Sequence, residues 1–255
     1  MEKLFIKNRK GQKIAVIVEK PENPKGLAFV MHGLGSWKER PITNSQAAPF
    51  LSNGYTVVRF DTTNSYGESD GSLDKATTTN YLEDLEDVIS WGQSQPWYQE
   101  PFILSGHSLG GICTGIYAAK HPEKIKGWNP VGSVISGELR LQQDKNQEVK
   151  TLGYKDISYW DSNGHEKVTR LPLSHFEDAL KYNLLDVVDK LRMPVLIVIG
   201  ELDSALPHQY LLYEKLSGPK ELEIIANAPH TFEKKDHLDK LQQLLDRWIK
   251  KTLNN

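Results

Sequence analysis

The chain has 255 residues, 38% hydrophobic and 25% charged, enough to bury a sizeable core in one large domain or two small ones. Its 31 Lys and Arg nearly balance 33 Asp and Glu, and a net charge of −2 gives no electrostatic reason to expect nucleic acid or an anionic membrane surface as partner. No apolar stretch approaches the roughly 20 residues of a membrane span, and the N-terminal apolar runs are too short for a signal peptide. The single cysteine, Cys113, cannot form an internal disulfide, so a cytoplasmic protein is expected.

Two β-rich stretches open the chain at 3–7 and 12–19, separated by the turn-like Asn8-Arg9-Lys10-Gly11. Further strand-like runs follow at 26–33, 55–61, 101–106, 125–131, 193–200 and 222–228. They are rich in Val, Ile and Phe and mostly non-alternating, as strands covered on both faces of a parallel sheet are. Helix-period stretches lie between them at about 44–53, 79–92, 108–120, 206–217 and 237–252. Leu238, Leu241, Leu244, Leu245, Trp248 and Ile249 make the last plainly amphipathic. Strands alternating with helices predict an α/β fold with a mainly parallel sheet. One segment breaks the rhythm: residues 137–176 are polar and charge-balanced, with Leu152, Tyr154, Tyr159 and Trp160 as apolar exceptions. So long a stretch inside a domain predicts a functional cover, a small cap inserted into a core made of 1–136 and 177–255.

Chemistry concentrates at Gly106-His107-Ser108-Leu109-Gly110, where the buried-strand run Phe102-Ile103-Leu104 meets the helix-period run Leu109, Ile112, Cys113, Ile116. A tight turn there lifts the Ser108 hydroxyl above the sheet edge, and flanking glycines are needed where a larger side chain would collide with strand or helix. A serine hydroxyl is a weak nucleophile until a base takes its proton, and the base must be held in one tautomer by a carboxylate. Asp203 lies just past one late strand and His230 just past the next, so Ser, Asp and His converge on one sheet edge. Glu201 is the competing acid, two residues nearer its strand. Among the other histidines, His121 and His237 read as helix-boundary residues and His208 as a loop or helix N-terminal residue. His165 and His175 lie in or beside the insert, and His107 reads as a packed or hydrogen-bonded neighbour of the serine.

Acyl transfer also needs donors for the oxyanion. The N–H of Leu109, at a helix N-terminus, is one candidate, and the N–H of Leu34, in the loop His32-Gly33-Leu34-Gly35 after a strand, is the other. Gly33-x-Gly35 does not continue as a dinucleotide loop, because position 38 is Lys and Pro41 delays the helix. No cofactor is expected, and no His, Cys and carboxylate set has metal-ligand spacing.

The segments "MHGLGSWKE", "RFDTTNSYGESDG", "GHSLGG", "IGELD" and "APHTF" occur in the order of the α/β-hydrolase superfamily, which the chain resembles over nearly its whole length. Within it the resemblance is to small bacterial carboxylesterases, feruloyl/cinnamoyl esterase-like and monoglyceride-lipase-like. It departs where the family reads R-G-x-G-x-S: here the loop is Asn64-Ser65-Tyr66-Gly67-Glu68-Ser69, and Tyr66 is expected to reshape the pocket. Asp61 reads as structural. The resemblance implies a serine hydrolase acting on a small-molecule carboxylic ester through an acyl-enzyme. Thioester, peptide and carbon–carbon bond hydrolysis stay open on the same triad, as does a catalytically silent binding protein on this scaffold. Oligomeric state is not legible in the sequence.

Overall fold

Non-alternating strands need cover on both faces, and the computed structural model, which describes residues 1–143, 148–161, 164–232 and 234–253, gives them that cover. Its strands are β1 (Glu2–Lys7), β2 (Lys13–Glu19), β3 (Gly26–Met31), β4 (Tyr55–Phe60), β5 (Phe102–His107), β6 (Ile125–Val131), β7 (Tyr154–Trp160), β8 (Glu166–Pro172), β9 (Val195–Gly200) and β10 (Lys220–Ile225). Eight of them form one sheet in the order β1-β2-β4-β3-β5-β6-β9-β10, while β7 and β8 pair separately. β2 runs antiparallel to β1 and β4, and from β4 to β10 every pairing is parallel.

The helices are α1 (Pro41–Ser52), α2 (Thr78–Gln93), α3 (Leu109–Lys120), α4 (Gly137–Gln142), α5 (Val149–Leu152), α6 (Leu173–Ala179), α7 (Leu206–Lys215) and α8 (Lys235–Trp248). Two apolar clusters flank the sheet. In β3, Leu27, Phe29 and Met31 join Leu85 of α2, Ile112 of α3 and Leu212 of α7 on one face. Ala28 and Val30 join Phe50 of α1 and Leu241 and Trp248 of α8 on the other.

Several boundaries differ from those expected. α1 starts at Pro41, because proline at the first helical position has its φ preset and lacks only an N–H that would be unpaired anyway. β10 covers Lys220–Ile225 rather than 222–228: its parallel register with Val195–Gly200 runs out at Ile225, and Asn227 turns the chain at φ 55°. α8 ends at Trp248 and continues as a wider helical turn over Ile249–Leu253.

Between β6 and β9 the chain leaves the sheet. Main-chain bonds from Gly137 to Tyr182 and from Leu184 to Ile135 bring the two ends of the excursion side by side. Within it α4, α5, the β7–β8 hairpin and α6 follow one another. The excursion is anchored rather than loose: Leu141, Val149, Leu171 and Phe176 are buried in the α2–α3 side of the core. Among the described residues, no helix is long and apolar enough to cross a membrane.

Candidate active site

Ser108 sits between β5 and α3 with φ 53° and ψ −113°, a conformation that a side chain makes costly. Three main-chain hydrogen bonds hold it there: its N–H donates to the Val131 carbonyl, and its carbonyl accepts from Gly111 and Val134, each at 3.0 Å. The flanking glycines are required by contact. A methyl at Gly106 would overlap the Gly110 carbonyl, and one at Gly110 would come within 2.5 Å of the His32 carbonyl oxygen.

Asp203 and His230 lie on the loops after β9 and β10, at the sheet edge where Ser108 emerges. Asp203 Oδ2 is 2.6 Å from His230 Nδ1, and His230 Nε2 is 2.9 Å from Ser108 Oγ. Because a carboxylate only accepts, Nδ1 carries the proton and Nε2 faces the serine hydroxyl as acceptor. Asp203 is 5% exposed, and its Oδ1 accepts from the Ala205 N–H at 2.9 Å. Burial pushes its pKa up, but the hydrogen bond and charge of His230 and the Ala205 N–H outweigh this and hold it below the ordinary carboxylate value. Glu201 is exposed and accepts instead from the Asn227 N–H, bracing the loop that carries His230.

Leu34 and Leu109 line the same cavity as Ser108. A Cβ at Gly33 would lie 3.0 Å from the Ser108 Cβ, so the loop that carries Leu34 passes directly beside the serine. Neither the Leu34 nor the Leu109 N–H donates to an acceptor among the described residues. The Leu34 loop is tied down from below. Asp61, fully buried, accepts from the Lys38 main chain at 2.6 Å and from its ammonium at 2.7 Å, and Lys38 also pairs with Glu68. His32 donates from Nδ1 to the Gly33 carbonyl and accepts at Nε2 from the Thr62 N–H.

The cavity above Ser108 is about 250 Å³. Val134, Ile135, Ile157, Leu171 and Phe176 make apolar wall, and Arg40, Arg140, Lys155 and His208 add polar groups. Of the four apolar residues singled out in the insert, Tyr159 lines the cavity, whereas Trp160 and Leu152 are 58% and 54% exposed and Tyr154 lies beneath the Arg170 guanidinium. The reason is strand alternation: in the β7–β8 pairing Lys155, Ile157, Tyr159 and Leu171 share the inner face, and Trp160 and Val168 the outer one. Tyr66 is not itself among the residues that line the cavity; its hydroxyl lies 2.5 Å from Thr169 Oγ1 and its ring is edge-on to Tyr159.

The remaining histidines stay apart from the Ser108 hydroxyl. His165 is exposed, His121 closes α3 against Tyr117, and His237 is buried in α8. His175 is buried on α6, donating from Nδ1 to the Ala76 carbonyl. Arg40, Arg140 and Lys155 were not legible as cavity residues, since nothing in their spacing marks them. Gly132 carried a faint signal as a glycine just past a strand: it adopts φ 51° and packs against Asp203 and His230.

This sheet order, with a serine on a strained strand-to-helix turn, defines an α/β hydrolase. Residues 22–155 match the family described as "Serine aminopeptidase, S33", and the chain belongs to that family. Monoacylglycerol lipase ABHD6 of Rattus norvegicus is 24% identical over 218 residues, 86% of this chain but 58% of that protein, so the chain spans little more than half of this relative. An uncharacterized 31.7 kDa protein of Escherichia coli is 25% identical over 81% of this chain and 84% of its own length. Among solved structures, Est1E from Butyrivibrio proteoclasticus with ferulic acid bound superposes with a TM-score of 0.83 at 19% identity, covering 99% of this chain and 100% of that one. Alpha/beta hydrolase domain-containing protein 10 from mouse superposes at 0.77 with 20% identity, over 98% and 99%.

Proposed function

We propose that the protein is a serine hydrolase that cleaves carboxylic esters of small molecules through an acyl-enzyme. The observation that carries this reading is the unbroken line Asp203–His230–Ser108, with contacts of 2.6 and 2.9 Å, in a cavity that Leu34 and Leu109 also line. The relative named monoacylglycerol lipase supports the same bond type.

In this reading His230 Nε2 takes the Ser108 proton as Oγ attacks the ester carbonyl. The carbonyl oxygen becomes an anion, stabilised by the Leu34 and Leu109 N–H groups, and Asp203 stabilises the imidazolium. Collapse breaks the ester C–O bond, and His230 returns the proton to the departing alcohol. Water then repeats the sequence on the acyl-enzyme, with His230 again as base, and releases the acid and free Ser108. Residues 137–176 serve as a cap whose inner hairpin face roofs the substrate's remote part. The family's aminopeptidase description names a competing bond. The ester reading is preferred because the curated relative matched over 86% of this chain is named a monoacylglycerol lipase. The buried thiol of Cys113 fits a reducing, cytoplasmic setting.

Fluorophosphonate labelling followed by peptide mapping tests the mechanism, alongside a panel of esters, thioesters and aminoacyl anilides. Adduct on Ser108 with turnover of esters is the expected result. A protein that is not labelled, or whose Ser108→Ala variant still turns over, overturns the reading.

A further inference from the structure

The base is carried on the less protected side of the site. His230 is 41% exposed at its side chain and rides on a turn that holds two non-glycine residues at positive φ, Asn227 at 55° and Phe232 at 50°. Asp203 fixes the rotation of its ring, but the turn as a whole must also be held at one distance from Ser108. His107 ends β5, directly before Ser108, and its Nε2 lies 3.0 Å from the main-chain oxygen of His230.

We propose that His107 is a positioning residue for the base: its Nε2–H, donated to the His230 carbonyl, sets the gap across which the serine proton moves. The proposal rests on the serine-hydrolase reading. A carbonyl oxygen only accepts, so the contact assigns the proton of His107 to Nε2 and leaves Nδ1 bare. That bare nitrogen is buried and has no hydrogen-bond partner among the described residues, and it packs where a Cβ at Gly33 would come within 3.1 Å. An orphaned buried acceptor is costly, and an apolar side chain would fill the same space without that cost. The donor at Nε2 is what a histidine adds. The bond also spans the same gap as the reacting pair, because residue 107 is covalently joined to residue 108, whose main chain is pinned on both sides. Burial and the nearby His230 push the His107 pKa down to about 3, so its ring stays neutral when His230, with a ring centroid 5.0 Å away, becomes charged.

Two variants separate the donor from the volume. His107→Phe keeps a ring and loses the donor, whereas His107→Gln offers an amide N–H in the same direction. On a small activated ester, His107→Phe is expected to lower kcat about 10- to 100-fold with little change in KM, and His107→Gln to recover most of the loss. If His107→Phe keeps wild-type kcat, or Gln is as slow as Phe, the positioning role is overturned while the serine-hydrolase reading stands. Turnover by Ser108→Ala overturns that reading and this proposal with it. Nitrogen-15 NMR of the wild-type protein needs no variant. His107 with a protonated Nε2, bare Nδ1 and a neutral ring at pH 5 is expected, and the opposite tautomer or a cation there overturns the proposal.

Discussion

Ser108 occupies a conformation that costs on the order of 1–3 kcal/mol, and it keeps it because neighbouring main chain bonds it from both sides. Under the proposed mechanism, Ser108→Ala and His230→Ala each lower kcat by roughly three orders of magnitude or more without loss of fold, as steady-state kinetics beside a thermal melt would show. Gly106→Ala fails for a different reason. Its methyl meets the Gly110 carbonyl, so the turn must open or the helix must shift, and stability falls by about 1–3 kcal/mol in a urea titration. Ser108, Asp203 and His230 were legible as candidates, in that order, because each follows a strand run that the sequence announces. The His107–His230 bond was not. It joins a side chain to a main-chain oxygen 123 residues away, and no spacing encodes such a pairing.

Under the proposed mechanism, the elements around Ser108, Asp203 and His230 divide into those that hold the site and those that roof it. The Leu34 loop is held by the buried pair of Lys38 and Asp61. Burial pushes the Lys38 ammonium down, but Asp61 and Glu68 outweigh it and hold its pKa above the ordinary lysine value. Lys38→Met leaves Asp61 buried without its counter-charge, and a loss of about 3–5 kcal/mol is expected in chemical denaturation. In the proposed reading the roof is the inner face of the β7–β8 hairpin, whose Lys155, Ile157, Tyr159 and Leu171 line the cavity. Tyr159 packs on Gly35, where a Cβ would lie 2.6 Å from its ring, and it meets Tyr66 edge-on. Tyr159→Ala is expected to reduce kcat/KM for bulky aromatic esters about 10-fold while sparing acetyl esters, a loss of about 1.4 kcal/mol of contact. Equal losses on both substrates would assign Tyr159 to the Leu34 loop rather than to specificity. Replacing the whole insert is a poor test, since Val149 and Leu171 belong to the main core.

At the scale of the molecule, buried histidines couple stability to acid. Burial and the Arg140 charge push the His175 pKa down to about 4, against about 6.5 in an unfolded chain. The unfolded state therefore binds the extra proton between those values. The contribution of His175 is fully present above pH 6.5 and is lost as pH falls to 4, on the order of 3 kcal/mol. His175→Gln should flatten that part of the stability curve, measured by urea unfolding from pH 7 to pH 4. An unchanged slope would mean that other groups carry the acid response.

What the sequence determined by itself is what local pattern encodes: strands with two buried faces, helices with one apolar stripe, a serine that needs glycines around it, and an aspartate and a histidine each placed past a strand end. Tertiary structure decided what depends on register and on approach between distant segments. The polar insert could be seen as an interruption, but a slip of one residue in β7 would exchange Tyr159 for Trp160 on the face that lines the cavity. Only the pairing of β7 with β8, and the docking of Tyr159 on Gly35, selects the inner face and so the lining of the cavity. Arg40, Arg140 and Lys155 reach that cavity from three different segments, and their convergence exists only once the sheet has brought those segments to one edge.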